Sequence, residues 1–358
     1  MNDKIYLKRI SDFQKKMKER NIDLSIIRTL SSYIYFTGTK WLRPSLLIPA
    51  DGEPFVMLGT NEGKYFEKRS WIRNYIEYNR VERLMFKIME YIRKNKVETV
   101  GMENSVERDS FVFFQNMFKT LNPKVEVVDI LQDIMDFRVV KEDWELENIR
   151  EAGKIANQAH QFAVDFIKPG MEETEITGEI IRLLFKNGCE EPKVYVSAYP
   201  RLHAEPLHGF TIEKDRFYSV VIGADYNNYY ANKSNSVYIG KPAGIIKDAI
   251  DAKEKVFQIA LNETKPGSNL LDIEKHIENI YKEYNLLEYY ITGYTHGVGL
   301  LIEELPMTTI IAITRKMPVL ENMVMAFVHA PLMMPEGAVR QEETVIVSEN
   351  PEVVTLIK

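Results

Sequence analysis

The chain has 358 residues, 45% of them hydrophobic and 27% charged, with a formal net charge of −6 at pH 7. That length gives room for two domains with sizeable cores, and the interspersed charges exclude a nucleic-acid footprint and a polybasic membrane anchor. The only cysteine, Cys189, excludes a disulfide framework and a cysteine-rich zinc module; it is expected to be structural, and its isolation fits a reducing cytoplasm.

In chain order, Tyr6, Ile10, Phe13 and Met17 recur at helical spacing over residues 3 to 20, directly after a start with no apolar signal core. A strand is expected at Leu24-Ser25-Ile26-Ile27, and further strands at Leu46 to Ile48, Pro54 to Leu58, Glu98 to Met102 and Val125 to Val128. Helix-like runs at 81 to 94 and 107 to 119 alternate with them, which predicts an α/β domain over residues 1–138. A long helix is then expected from Asp143 to Lys168. No apolar run approaches the roughly 20 residues needed to span a bilayer.

Residues 139–358 contain a weak internal repeat. One helix stops at Lys168-Pro169-Gly170 and another follows from Glu172 to Lys186; later, a helix stops at Lys265-Pro266-Gly267 and another runs from Leu270 to Tyr284. Each pair leads into β-rich sequence, which predicts two α+β halves facing across a cleft.

Several stretches of this half carry chemistry-bearing residues. Tyr218 to Gly240 has the outline of a β-hairpin, and the stretch includes Val221 and Asn232. Tyr294-Thr295-His296-Gly297-Val298-Gly299-Leu300 sets an imidazole among glycines, which permit close approach of backbone and substrate. Met323-Val324-Met325-Ala326-Phe327-Val328-His329 reads as a strand, and Arg340 and Glu342 in Gly337-Ala338-Val339-Arg340-Gln341-Glu342-Glu343-Thr344 share a strand face, where a solvated ion pair is the plainer reading. Lys233, beside Asn232, is expected to point outward.

Together with Leu7-Lys8-Arg9, Tyr33-Ile34-Tyr35-Phe36-Thr37-Gly38 and Pro49-Ala50-Asp51-Gly52-Glu53-Pro54, these stretches resemble the creatinase/prolidase/aminopeptidase P superfamily, peptidase family M24, over nearly the whole chain. The resemblance implies an α/β amino-terminal domain followed by an α+β pita-bread domain with a pseudo-twofold repeat. It further implies a cleft for a small-molecule or short-peptide substrate, and a homodimer in which Trp41 reaches toward the partner's site. Its metallopeptidase members hold two metal ions with two Asp, one His and two Glu. Here the aspartate positions fall on Val221 and Asn232, the histidine on His296 and the last glutamate on Glu342. The other glutamate falls on Val328 or on His329, depending on the direction of counting, and the histidine of a His-Glu pair falls on Glu303, with Glu304 keeping the acidic position. The cleft histidine that precedes the hairpin matches His208 in Pro206-Leu207-His208-Gly209, while His203 lies closer to the usual spacing; His208 is preferred.

Asp225 lies ~13 Å along the strand from Val221, too far to replace it. One carboxylate does not offset two divalent cations, so no metal and no other cofactor is expected. The expected function is metal-independent hydrolysis of C–N bonds in a small polar amide, amidine or amino-acid derivative, with His208, His296 and Glu342 catalytic and Arg340, His329, Tyr294, His203, Glu304 and Trp41 binding substrate. One alternative is an Xaa-Pro dipeptidase or aminopeptidase with altered metal ligands; the other is an inactive homologue that serves as a binding module.

Overall fold

Tyr6, Ile10, Phe13 and Met17 form the buried stripe of the first helix, as their spacing predicts. The computed structural model describes residues 3–105, 107, 110–197 and 205–356, so His203 lies outside the described residues. The chain divides into two units, Met1–Phe137 and Arg138–Lys358.

The first unit contains α1 (Asp3–Glu19), β1 (Leu24–Ile27), α2 (Leu30–Thr37), β2 (Leu46–Pro49), β3 (Phe55–Gly59), α3 (Gly63–Phe66), β4 (Tyr75–Tyr78), α4 (Val81–Asn95), β5 (Thr99–Met102), α5 (Ser110–Leu121) and β6 (Glu126–Asp129), with α6 (Leu131–Val139) at its end. Its sheet has the order β4-β3-β2-β1-β5-β6. β2 runs antiparallel to both neighbours, whereas β1 with β5, β5 with β6 and β3 with β4 are parallel. Leu84, Ile88 and Ile92 of α4 and Phe111, Phe114 and Phe118 of α5 pack with Leu24, Ile26, Val100 and Met102 of the sheet. α2 had no periodic signature because Ser31 to Thr37 is buried on every side.

The second unit begins with α7 (Asp143–Phe166) and α8 (Glu173–Lys186), followed by β7 (Lys193–Ser197), β8 (Phe217–Tyr226) and β9 (Tyr229–Tyr238). It continues with α9 (Ile245–Glu263), α10 (Leu270–Glu283), β10 (Thr295–Gly297), β11 (Glu304–Met307), β12 (Val324–Phe327), β13 (Leu332–Met334), β14 (Gly337–Val339), β15 (Gln341–Ile346) and β16 (Glu352–Val353). Both Lys-Pro-Gly stops are realised, with Gly170 at φ 92° and Gly267 at φ 86°, a region that favours glycine. The main sheet has the order β11-β10-β12-β15-β9-β8-β7, with β16 paired to β15. Each helix pair has its own core: α7 and α8 pack on Val220, Ile222 and Ala224 of β8, and α9 and α10 pack with Met325, Phe327 and Val345. β8 and β9 are joined by Asn227-Asn228, with φ of 48° and 69°, the chemistry of a two-residue hairpin turn.

Strand parity divides the sheet into a face covered by helices and the face opposite it. Lys233 lies on the covered face, which corrects the expectation that it points outward. It is 4% exposed, and its Nζ donates to both Glu343 carboxylate oxygens at 2.7 and 2.9 Å and to Thr355 O at 3.0 Å. His160 of α7 is buried nearby, with Nε2 lacking a hydrogen-bond partner. Burial, then the Lys233 charge, push this imidazole down to about 4. The unfolded chain therefore takes up a proton below its ordinary value that the folded chain refuses until about pH 4, and stability is lost as pH falls through that window. The loss is expected to reach about 3 kcal/mol. His160→Gln should flatten the change in unfolding free energy, measured by denaturant melts at the two ends of the window; an unaltered slope would refute the assignment.

Candidate active site

The face opposite the helices gathers residues that the sequence picked out. In register across the sheet, Gly223 of β8 lies opposite Asn232 of β9, Thr344 of β15 opposite Ala326 of β12, and Ala326 opposite His296 of β10. Thr344 Oγ1 ties the two halves of this row together, accepting from Asn232 N at 2.7 Å and donating to Asn232 O at 2.9 Å. One step along, Ser234 lies opposite both Val221 and Glu342.

His296 is 2% exposed. Its Nδ1 lies 2.9 Å from Gly297 O, and its Nε2 faces Glu342 Oε1 at 3.4 Å. Gly297 makes this placement possible, since a Cβ there would lie 2.3 Å from Leu305 O. Gly297→Ala is therefore expected to push β10 away from β11, at a cost of about 1–3 kcal/mol. A thermal melt unchanged from the parent would contradict this.

Backbone conformation decides which of Val328 and His329 faces His296. Val328 has φ 61°, an outlier for a β-branched residue, and the regular alternation of β12 ends there. The Val328 side chain joins the apolar core, while the His329 ring packs edge-on against His296 with centroids 4.6 Å apart. His329 is thus the residue that faces the site. Its Nε2 contacts Thr309 Oγ1 at 3.1 Å. Cations hold the two carbonyls of this turn: Arg340 Nη1 donates to His329 O at 3.3 Å, and Lys253 Nζ donates to Ala330 O at 2.5 Å.

Burial alone would lower the His296 pKa, but the hydrogen bond and charge of Glu342 outweigh it and hold His296 above the ordinary imidazole range. Burial would conversely raise Glu342, yet the His296 contact holds it down to about 2. The pair is therefore a carboxylate beside an imidazole that retains its proton to higher pH than usual. Burial and then His296 push His329 down to about 3, which keeps it neutral.

Three expected site residues, Tyr294, Glu304 and His208, are not part of this group. The Tyr294 ring is in the apolar core, with its hydroxyl 2.9 Å from Thr264 Oγ1, because the residue faces the helix-covered side. Glu304 is buried in an ion cluster with Arg138 and with Lys141 Nζ at 3.6 Å, so its charge is already matched. His208 stands in an exposed turn, near Thr174 Oγ1 at 3.4 Å and Glu172 Oε2 at 3.9 Å. Trp41, expected at a partner's site and not within its own chain's, belongs to the first unit, where its indole N–H donates to Glu62 Oε2 at 3.0 Å. Asp225 cannot serve in place of Val221, since it accepts from Glu190 N and Glu191 N, each at 3.0 Å.

Sequence reasoning missed Lys253 and Thr309, and it gave Glu303 no role. The signal for Lys253 was present: it falls on the same helix face as Ile246, Ala249, Val256 and Ala260, where a charge needs a reason.

Residues 147–349 match the description of metallopeptidase family M24, and residues 9–140 match the creatinase/prolidase N-terminal domain. The chain belongs to metallopeptidase family M24. It is 26% identical over 350 residues to an Xaa-Pro dipeptidase of Pyrococcus furiosus, spanning 96% of this chain and 95% of that one. An uncharacterized peptidase of Staphylococcus epidermidis is 24% identical over 352 residues, spanning 96% and 97% of the two chains. Among solved structures, the prolidase from Pyrococcus furiosus superposes with a TM-score of 0.83 at 25% identity over 96% of this chain and 99% of that one. The Xaa-Pro dipeptidase from Bacillus anthracis does so with 0.85 at 21% identity over 99% and 98%. The second unit is accordingly the pita-bread domain of an M24 protein, and the enzyme class is that of hydrolases acting on C–N bonds.

The two-metal ligand set implied by the resemblance does not fit this M24 chain. Val221 has no donor atom, and Asn232 spends its Nδ2 on Ile302 O at 2.7 Å, leaving a neutral oxygen where a carboxylate is needed. Among the described residues, the set that can converge on an ion is instead His296, Glu303 and His329, whose ligand atoms lie within 4.8 Å of one another.

Proposed function

We propose that this chain hydrolyses the C–N bond of short peptides of the Xaa-Pro dipeptide class, with a ligand set altered from that of its family. The observation that carries the reading is the buried His296–Glu342 pair, with His329 against the imidazole. Likeness to an Xaa-Pro dipeptidase over almost its full length supports the substrate class. The metal-independent reading drawn from the sequence has no comparable support among the relatives.

Hydrolysis needs a proton delivered to the leaving nitrogen and a water activated for attack. His296, with its Nδ1 proton on Gly297 O, exchanges a proton at Nε2, and the Glu342 anion stabilises the imidazolium form. Arg340 offers a planar fork of donors suited to the carboxylate in which a dipeptide ends. His329, held neutral, contributes a hydrogen bond to the substrate or to the water.

Purified protein assayed against matched Xaa-Pro and Xaa-Xaa dipeptides and simple amides is expected to favour Xaa-Pro. Turnover of amides with none of dipeptides would replace this reading by the small-amide one. Absence of turnover on the whole panel would point to a binding module.

A further inference from the structure

The first unit holds a cation whose inward donors are unsatisfied among the described residues. Arg28 follows β1 directly, and the pairing of β1 with β2 runs as far as Ile27 opposite Leu46. One step further on, Arg28 meets Ser45, and strand parity turns both toward the side of Ile26 and Leu47, which α4 and α5 cover. The guanidinium lies over the Phe114 ring of α5 at 4.1 Å. Its Nε and Nη1 are buried without a hydrogen-bond partner, and so is Ser45 Oγ, in a residue 1% exposed. Burial is the main cause that pushes the Arg28 pKa down, to about 10, and the Arg43 charge acts in the same direction. Among the described residues no carboxylate pairs with Arg28. The Phe114 ring gives a cation–π contact but takes none of these hydrogen bonds. Buried polar groups are ordinarily hydrogen-bonded and buried charges paired, so donors lacking an acceptor point to a group that arrives from outside.

The place in the fold agrees. Arg28 and Tyr78 stand at the carboxyl ends of β1 and β4, and α4 and α5 both begin at this edge, after β4 and β5. Open α/β sheets take their ligands outside the carboxyl ends of their strands, and the first turn of a helix favours negative charge. Arg43 is exposed and near enough for its charge to act on Arg28, so it adds a second cation. Arg28 is itself only partly buried, and a solute reaches the guanidinium from the edge of the sheet.

We propose that the carboxyl edge of the first unit's sheet binds a small oxyanion of the phosphate class, inorganic phosphate or a phosphate monoester, through Arg28, Ser45 and Arg43. A phosphate monoester carries about −1.5 to −2 charge at pH 7 and offers three strong acceptor oxygens, a match for two guanidinium groups and a hydroxyl. A carboxylate brings a single charge and two oxygens. The site is built wholly from the first unit and owes nothing to the activity proposed for the second.

The test titrates full-length protein by calorimetry with inorganic phosphate, with glycerol 3-phosphate and with acetate, all at one ionic strength. Saturable phosphate binding that raises the melting temperature is expected, with acetate weaker by about tenfold or more. Arg28→Met keeps an unbranched side chain against Phe114 and should weaken phosphate by about tenfold or more. Its melting temperature without phosphate should equal or exceed the parent's, because a buried cation lacking a partner is gone. Arg43→Gln, at an exposed position, should keep the parent fold by circular dichroism and also weaken binding. Tighter binding of glycerol 3-phosphate than of phosphate would assign the site to a phosphorylated small molecule, and the reverse order to phosphate itself. No saturable phosphate binding, acetate bound as well as phosphate, or an affinity untouched by Arg28→Met would each overturn the site. A melting temperature lowered by Arg28→Met with binding unchanged would reduce Arg28 to a structural cation over Phe114.

Discussion

His296→Ala is expected to lower kcat/KM for an Xaa-Pro dipeptide by about two to four orders of magnitude, the range for loss of a positioned acid/base group. The side chain is 2% exposed, touches Glu342 and His329, and sits in a strand too constrained to let another residue take its place. The loss should fall on kcat. Arg340→Lys, which keeps the charge and removes the fork, should fall mainly on KM. Retention of more than about a tenth of parental kcat/KM in His296→Ala would remove this residue from the chemistry.

The second large effect concerns stability. Glu343→Ala should destabilise the protein by about 3–5 kcal/mol, because it strands the Lys233 ammonium in the interior. Lys233 is 4% exposed, and Glu343 takes two of its donated hydrogen bonds while also accepting from Asn235 Nδ2 at 3.1 Å and Thr355 Oγ1 at 2.6 Å. The double change Lys233→Met with Glu343→Leu should recover most of the loss, since neither charge is then buried alone. Denaturant unfolding of the three proteins decides it; a single-variant loss below about 1 kcal/mol would mean that the pair is solvated in solution.

What the sequence disclosed and what it hid follow from the range of the forces involved. The helical spacing of Tyr6, Ile10, Phe13 and Met17, the Lys-Pro-Gly stops and the hairpin from Tyr218 to Gly240 are local signals, and the elements formed where they stood. His296 and Glu342 were found because a motif names them, and strand register brings them together. The misplaced residues depended on partners distant in sequence. Glu304 looked like a cleft acid until Arg138, 166 positions away, matched its charge. Tyr294 looked like a polar wall until Thr264 took its hydroxyl in the core. The choice between Val328 and His329 rested on one backbone angle, and pattern counting assumes regular alternation where the chain departs from it.

The paired cores of the second unit have a consequence for how its chemistry is shared. Val221 and Asn232 come from the half closed by α7 and α8, whereas β10, β12, β15 and their loops supply His296, His329, Glu303 and Glu342. The ligand set implied by the family resemblance would draw charge from both arms, whereas here one arm supplies it. The donor-poor arm lies beside the reacting groups on the same face, with Ser234 between Val221 and Glu342, so a substitution at Val221 is expected to change the surface next to them without removing one of them. The seam between β9 and β15, crossed by the Asn232–Thr344 hydrogen bonds, is therefore where changes on the two arms are expected to depart from additivity.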